Sequence, residues 1–224
     1  MKNFTLEERR TTMSRLHWKQ NRFLHITLWL MLAVGVGMML LPRIDEWIQE
    51  RKQNQLLTEW TKELRSSEEQ STKLESSASV NGSPHAAWKE IDGVPVLGTI
   101  AIDKIALREA IVKGADPESL DLGIGVVEAD RFSGQNDHLV LAGHRSFKPG
   151  KHFNRLGELE RGDRILIETA EGTVAYAVKT SFLVEPTDLS VLNSHSEEAE
   201  LTLITCHPMR NPTHRLIVKA SQVF

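Results

Sequence analysis

The stretch ELTLITCHPMRNPTHRLIVKA, residues 200–220, decides how the C-terminal part of the chain folds. It holds two apolar, β-branched runs joined by a short loop, which is the pattern of two neighbouring antiparallel strands. Cys206, the only cysteine of the chain, ends the first run, and Arg215 opens the second. Side chains alternate along a strand, so Cys206 shares one face with Ile204 and Thr202, while Leu201, Leu203 and Thr205 take the other. A thiol at a strand end is open to a substrate, unlike one in mid-strand.

The overall composition limits what this cysteine can be. With 224 residues, 40% hydrophobic and 25% charged, the chain is ordinary for a folded protein. Its formal charge of −3 argues against a protein that coats nucleic acid. A single cysteine cannot form an internal disulfide, which leaves an inert apolar residue, a metal ligand or a nucleophile.

The N-terminal part contains a candidate membrane anchor. The segment FLHITLWLMLAVGVGMMLLP, residues 23–42, contains no Asp, Glu, Lys or Arg. At about 1.5 Å per residue it spans about 30 Å, the thickness of the hydrocarbon core of a bilayer. Residues 1–22 are rich in Lys and Arg, which predicts a cytoplasmic N-terminus. Since no small-residue cleavage site follows, we expect an uncleaved, single-pass signal anchor with the rest of the chain outside the membrane.

Residues 43–87 are expected to form an extracytoplasmic stalk. Apolar residues recur at helical spacings between Ile44 and Leu74, which predicts an amphipathic helix that lies on the membrane surface or rises from it. The Ser-rich segment SSEEQSTKLESSASVNGSPH, residues 66–85, is too poor in apolar residues to order itself and is expected to be a flexible linker. The folded domain is then expected to span residues 88–224.

Within residues 88–224, short β-branched runs alternate with turn residues, without long helical patterns between them. This favours an all-β barrel or sandwich with one or two short helices, in PESLDLGIGVV (117–127) and PGKHFNRLGEL (149–159). Eight strands are predicted, at 97–102, 105–113, 125–128, 138–142, 164–168, 173–184, 200–206 and 215–223.

A nucleophilic thiol needs a proton partner and a group that stabilises an oxyanion. The run HLVLAGHR ends a predicted strand with His144, and two strand ends carrying Cys and His can meet at one rim of a barrel. Arg215, opposite the end of the Cys206 strand, carries a permanent charge and several donors. The rival interpretation is a metal site formed by Cys206, His207, His144 and His214. The adjacent Cys and His suit tetrahedral zinc poorly, and no C-x-x-C or H-x-x-x-H spacing supports it.

These motifs together resemble a known family. TLITC (202–206), HRLIVKA (214–220) and the upstream LAGHR (141–145) are similar to the signature of the sortases, cysteine transpeptidases of Gram-positive bacteria. The resemblance covers Val94 to Val223 and includes KHFNRLGELERGDRI and VEPTDLSVL. The latter stretch and the N-terminal anchor resemble class A or class D sortases.

The resemblance implies an eight-stranded β-barrel, with Cys206 as nucleophile, His144 as proton donor to the leaving amine, and Arg215 as stabiliser of the oxyanion. Sortases cleave an LPxTG-type sorting signal between Thr and Gly, hold the product as a thioester, and transfer it to an amine of a cell-wall precursor. The implied partners are secreted proteins that carry this signal, the amine acceptor of a peptidoglycan precursor, and the membrane. Contacts to the sorting signal are implied for Ala142, Pro186, Val191, Leu192 and Thr205.

No cofactor is predicted. Some class A sortases bind calcium, and acidic residues stand in comparable places here: Glu128, Asp130, Glu197, Glu198 and Glu200. However, Asn193 and Ser194 occupy the positions where the resemblance implies a glutamate, so no metal site is assigned. Two other functions stay open: a hydrolytic cysteine peptidase that uses the same residues, and a non-catalytic surface-binding module in which Cys206 is a core residue.

Overall fold

The computed structural model describes residues 6–72, 88–127, 138–148, 150–193 and 198–223, which include two helices of the α type and nine strands. Helix α1 spans Leu6–Thr72 and α2 spans Pro117–Leu122. The chain divides into two compact units, Met1–Ile48 and Gln49–Phe224. The strands are β1 (Lys89–Ile91), β2 (Val94–Ile102), β3 (Leu107–Lys113), β4 (Ile124–Val126), β5 (His138–Ala142), β6 (Arg164–Thr169), β7 (Gly172–Val184), β8 (Glu200–His207) and β9 (His214–Val223).

The candidate membrane anchor, residues 23–42, lies in the first unit and is helical. Where its side chains are described, between His25 and Met39, the large apolar ones are exposed, from 50% at Val36 to 77% at Met31. Over the described residues, no helix is both long and apolar enough to cross a membrane.

The strands of the second unit close into a barrel. Neighbours follow the order β2-β3-β4-β5-β8-β9-β7-β6, and β6 pairs back onto β2, which closes the ring with eight strands. The eight-stranded barrel predicted from the sequence is therefore confirmed, and β1 is an additional short strand paired to β2. Most pairs are antiparallel, but β5 runs parallel to β8, and β3 runs parallel to β4.

Apolar side chains fill the barrel because alternate residues of each strand point inward. Phe153, Leu156 and Leu159, from the segment after β5, close one part of this core. The helix expected in residues 117–127 is α2, and the one expected in 149–159 is a 3₁₀ turn at Leu156–Glu158. The strand expected from residue 105 begins at Leu107, because Asp103–Ile105 form a 3₁₀ turn that ends with Ala106 at φ +52°.

The stalk helix does not stand apart from the barrel. Leu56 and Trp60 of α1 are 3% and 0% exposed, and they pack with Ile91, Val96 and Val112 of β1, β2 and β3. The apolar stripe that predicted a helix at the membrane surface therefore covers an outer face of the barrel. The compact unit begins at Gln49 and so extends further toward the N-terminus than the domain expected at 88–224.

The segment predicted as a Ser-rich linker, residues 66–85, begins within a helix. Residues 66–72 belong to α1, and the Ser66 hydroxyl donates to the Glu63 carbonyl at 2.8 Å within that helix. The rest of the predicted linker, residues 73–85, lies outside the described residues.

Candidate active site

Cys206 and Arg215 are direct neighbours across the last two strands. In the antiparallel pairing of β8 with β9, Cys206 is the partner of Arg215, next to the pair of His207 with His214. Directly opposed residues carry their side chains on the same face, with Cβ atoms about 5 Å apart. Both residues are half-buried, and Cys206 is a free thiol. Among the described residues, the guanidinium of Arg215 donates one long bond, 3.4 Å, to the His214 carbonyl, which leaves other donors for a ligand.

His144 reaches the same rim from the other side of β8. Strand β5 runs parallel to β8 with Ala142 paired to Ile204, and the Gly143 amide continues this ladder by donating to the Ile204 carbonyl at 3.0 Å. His144 therefore leaves β5 beside the residues that lead to Cys206. Alternation gives His144 and Ala142 the face shared by Ile204 and Cys206. The three predicted catalytic residues thus lie at one end of three adjacent strands, β5, β8 and β9.

Gly143 permits a close approach of this turn to the core. A Cβ atom at this position would lie 2.7 Å from Ile124 Cδ1 and 2.8 Å from Phe153 Cδ2. The turn is closed by the Phe153 amide, which donates to the His144 carbonyl at 2.9 Å. The glycine before the histidine therefore lets the segment pack directly on Phe153, which is fully buried.

Side chains reinforce the connection between the two segments. The buried hydroxyl of Thr205 donates to the Gly143 carbonyl at 2.8 Å. Nη1 of Arg145 donates to Nδ1 of His207 at 2.7 Å and to the Cys206 carbonyl at 3.3 Å. Arg145 and Thr205 therefore fix the residues beside His144 to those beside Cys206. The sequence analysis assigned no role to Arg145.

His144 is flanked by residues that the sequence analysis did not identify. Its Nε2 lies 3.6 Å from Asp121 Oδ1 of α2, and its ring meets that of His152 edge-on, with centroids 6.0 Å apart. No hydrogen bond joins the His144 ring to the Cys206 thiol in the described part of the chain. Burial lowers the pKa of His144 below its ordinary value, and His152 adds to this effect, whereas the Asp121 carboxylate opposes it. The neutral imidazole is therefore favoured at rest.

Four of the residues predicted to contact a sorting signal lie on or near the outer face of the barrel: Ala142, Pro186, Val191 and Leu192. Ala142 lies on the outer face beside Ile204, and Val191 and Leu192 belong to the 3₁₀ turn Leu189–Leu192 that precedes β8. His138, on the same outer face, hydrogen-bonds through Nε2 to the Thr202 hydroxyl at 2.8 Å. Pro186 is exposed after β7.

Thr205 is placed differently from these residues. Its side chain is 2% exposed, points into the barrel and binds Gly143, so it does not line the outer face. The resemblance had implied a substrate contact at this position. The structure assigns it instead to holding the turn before His144, in agreement with the alternation of the strand.

The residues suggested for metals do not form a cluster within the described ranges, where no three His, Cys, Asp or Glu side chains come together to hold an ion. Glu200 binds Lys219 at 3.0 Å and lies 3.9 Å from His138. Glu128, Asp130 and Glu197 lie outside the described residues.

Comparison with known proteins agrees with this geometry. The family model described as "Sortase domain" matches residues 100–223, so the chain belongs to the sortase family. Sortase D of Bacillus subtilis (strain 168) is 32% identical over 129 residues, which cover 56% of this chain and 63% of that protein. Sortase A of Staphylococcus aureus is 24% identical over 196 residues, covering 86% of this chain and 90% of that protein.

The solved structures of sortases give the same result. Sortase C1 of Streptococcus agalactiae superposes with a TM-score of 0.55 at 31% identity, covering 60% of this chain and 70% of that one. The chain spans less than two thirds of the length of two relatives, 63% of the Bacillus sortase D and 54% of Listeria monocytogenes sortase A. These relatives carry the class names A, C and D, so the comparisons define the family rather than the class.

Proposed function

We propose that this chain is a membrane-anchored cysteine transpeptidase that cleaves an LPxTG-type sorting signal between Thr and Gly and transfers the protein to an amine of a cell-wall precursor. The observation that carries the proposal is the convergence of Cys206, Arg215 and His144 at the ends of three adjacent strands. Membership of the sortase family supports the same chemistry.

The chemistry follows from the placement of the three side chains. The Cys206 sulfur, as thiolate, attacks the carbonyl carbon of the substrate threonine, and the Arg215 guanidinium donates to the resulting oxyanion. The C–N bond to glycine then breaks, and the protonated imidazole of His144 gives its proton to the leaving amine. A thioester on Cys206 remains. The acceptor amine attacks the thioester carbonyl and loses a proton to His144, and the C–S bond breaks to release the Cys206 thiolate beside the imidazolium.

The electrostatics of His144 suit this cycle. Its pKa is lowered mainly by burial, so the ring is a ready base for the Cys206 thiol and for the acceptor ammonium. Asp121, at 3.6 Å, stabilises the imidazolium that forms when the ring takes up the proton. Both carboxylate and imidazole are about half exposed, so this stabilisation is modest.

Membrane anchoring is part of the proposal and is supported by residues 23–42. The segment has no Asp, Glu, Lys or Arg, and Lys and Arg predominate in the residues before it. A lipid environment would remove from water the apolar side chains that are exposed between Ile26 and Met39. Anchoring would raise the effective concentration of the enzyme near secreted proteins at the membrane.

The full chain in detergent micelles, an LPxTG-containing peptide and triglycine provide the test, with products and intact protein measured by mass spectrometry. We expect cleavage after Thr, an acyl adduct on Cys206 and a peptide joined to triglycine. Cys206→Ala should abolish all three, because no nucleophile remains. Arg210→Lys is the matched control for the substitution Arg215→Lys. In the described part of the chain, Arg210 contacts only the ring of Phe147, at 5.8 Å.

Each outcome separates the alternatives. Cleavage with equal amounts of hydrolysis product, with or without triglycine, would identify a hydrolytic peptidase instead. Absence of cleavage and of any adduct with a panel of variant sorting signals would reject the enzyme and favour a binding module. Cleavage retained in Cys206→Ala would reject Cys206 as the nucleophile.

A further inference from the structure

The side of the active site around His144 is built partly by the helix that precedes the barrel. Asp121 and His152, two titratable side chains that face His144 within the described ranges, are both contacted by α1. The contacts come from Gln49 and Gln53, which lie one helical turn apart and belong to the same compact unit as the barrel.

Gln49 and Gln53 hold the end of α2 where Asp121 lies. Nε2 of Gln49 donates to Asp121 Oδ2 at 3.2 Å, and Nε2 of Gln53 donates to the Asp121 carbonyl at 2.9 Å. The first bond leaves Oδ1 of Asp121 directed to the His144 ring. The second satisfies a carbonyl in the last turn of α2, which has no partner within its own helix. Together they fix both the backbone and the carboxylate of Asp121.

Gln53 also contacts the ring of His152. Lys151 Nζ lies 2.8 Å from Gln53 Oε1, so the amide oxygen faces Lys151 and the amide nitrogen is left to donate. That nitrogen lies 3.4 Å from His152 Nε2. The bond uses the lone pair of Nε2, so a ring protonated at that atom would lose it.

The opposite edge of His152 is held from inside the barrel. His152 Nδ1 lies 3.1 Å from Oε2 of Glu109, and the His152 amide donates to the other oxygen of that carboxylate at 2.6 Å. Glu109 is 3% exposed, and His152 has a backbone φ of +48°. The ring that lies edge-on to His144 is therefore placed between Glu109 of β3, which accepts from the His152 backbone amide, and Gln53 of α1.

We propose that Gln49 and Gln53 are positioning residues of the active site. They act through Asp121 and His152 to orient the His144 ring and to stabilise its imidazolium form. The inference rests on the proposed function for its kinetic test but not for its spectroscopic test. Without the two amides, Asp121 is free to turn away from His144, and the His152 ring loses its contact with α1. Loss of the nearby carboxylate disfavours the imidazolium form of His144.

The test uses the full chain in detergent micelles, labelled with ¹³C at the histidine Cε1 positions, with the His144 signal assigned from His144→Gln. In Gln49→Ala/Gln53→Ala we expect the pKa of His144 to fall relative to wild type. We also expect kcat for the sorting peptide to fall about tenfold with KM unchanged, because catalytic groups lose orientation rather than substrate binding. Gln55→Ala is the matched control, since Gln55 lies on the same helix and binds the exposed Asp92 instead.

A second variant protects the test against a failure to fold. Asp121→Asn keeps the shape of the side chain and removes its charge, and it should also lower the pKa of His144. An unchanged His144 titration in the double variant, or an equal shift in Gln55→Ala, would overturn the inference. If the wild type cleaves no sorting peptide, the proposed function fails, and the titration alone still decides on the role of the two glutamines.

Discussion

Replacing Arg145 by Met tests whether the histidine and cysteine segments are held together by a side chain that touches neither reacting atom. Arg145 donates to His207 Nδ1 at 2.7 Å and to the Cys206 carbonyl at 3.3 Å. Met retains most of the apolar stem and removes the donors. The hydrogen bonds are to acceptors immediately beside the nucleophile, so their loss frees the end of β8.

The size of the effect follows from these bonds. A hydrogen bond that involves a charged group contributes about 1.5–3 kcal/mol. The short bond to His207 is the stronger one, and partial exposure of Arg145 reduces its value. We therefore expect the free energy of unfolding to fall by about 1–2 kcal/mol. Displacement of a catalytic group by about 1 Å can lower the rate by about 100-fold, so we expect kcat to fall between about 10- and 100-fold.

Two assays measure this, urea unfolding followed by circular dichroism and single-turnover acylation of Cys206 by a sorting peptide. Arg155→Met is the matched control. Arg155 lines the same cavity of about 630 Å³ as Arg145, but it pairs with Glu158, at 2.6 Å, three residues away. The control should keep wild-type acylation. Wild-type kcat in Arg145→Met, or an equal loss in Arg155→Met, would refute the idea that Arg145 joins the two segments.

Three further predictions concern other parts of the unit. Arg215→Lys should lower the rate of acylation strongly, because an ammonium lacks the forked donors of a guanidinium. The control Arg210→Lys should keep the wild-type rate, and equal rates in both variants would remove Arg215 from oxyanion binding. Trp60→Ala should lower the free energy of unfolding by about 3–5 kcal/mol in urea titrations, since the indole is 0% exposed between α1 and the barrel. No change would mean that the helix is undocked in solution. Burial lowers the pKa of His138 below its ordinary value of 6.5, so the unfolded chain binds the proton more readily. The contribution of His138 to the free energy of unfolding should therefore be fully present above pH 6.5 and decline as pH falls below it. His138→Asn should reduce this pH dependence, measured as urea midpoints at neutral pH and at about pH 5.

Local patterns were sufficient to predict the eight strands of the barrel, whereas the choice between a barrel and a sandwich came from the resemblance to the sortases. Alternating apolar residues and turn residues defined the eight strands, because each strand must direct one face into the core. The same alternation put Thr205 on the face opposite Cys206, which is where the structure has it. Positions at strand ends were enough to identify Cys206 and Arg215 as neighbours, since a hairpin brings them together through a short loop.

Long-range contacts were not predictable in the same way. An apolar stripe on the stalk helix has the same sequence pattern whether it faces a membrane or a protein surface, so Leu56 and Trp60 did not reveal their partners in β1–β3. The roles of Gln49, Gln53 and Asp121 depend on how α1 and α2 pack, and no local signal marks them. Arg145 was adjacent to a recognised residue, but its bond to His207 requires the parallel pairing of β5 with β8.

That parallel pairing also sets when catalytic competence can arise during folding. Cys206 and Arg215 meet through a local hairpin, whereas the segment before His144 joins the Cys206 strand across 62 residues of sequence. Contacts between residues far apart in the sequence form slowly, because loop closure must come first. We therefore expect a folding chain to pair Cys206 with Arg215 early and to bring His144 beside them late. Until the barrel closes, the predicted nucleophile lacks its predicted proton partner, so we expect no acylation of Cys206 by a sorting signal before that step.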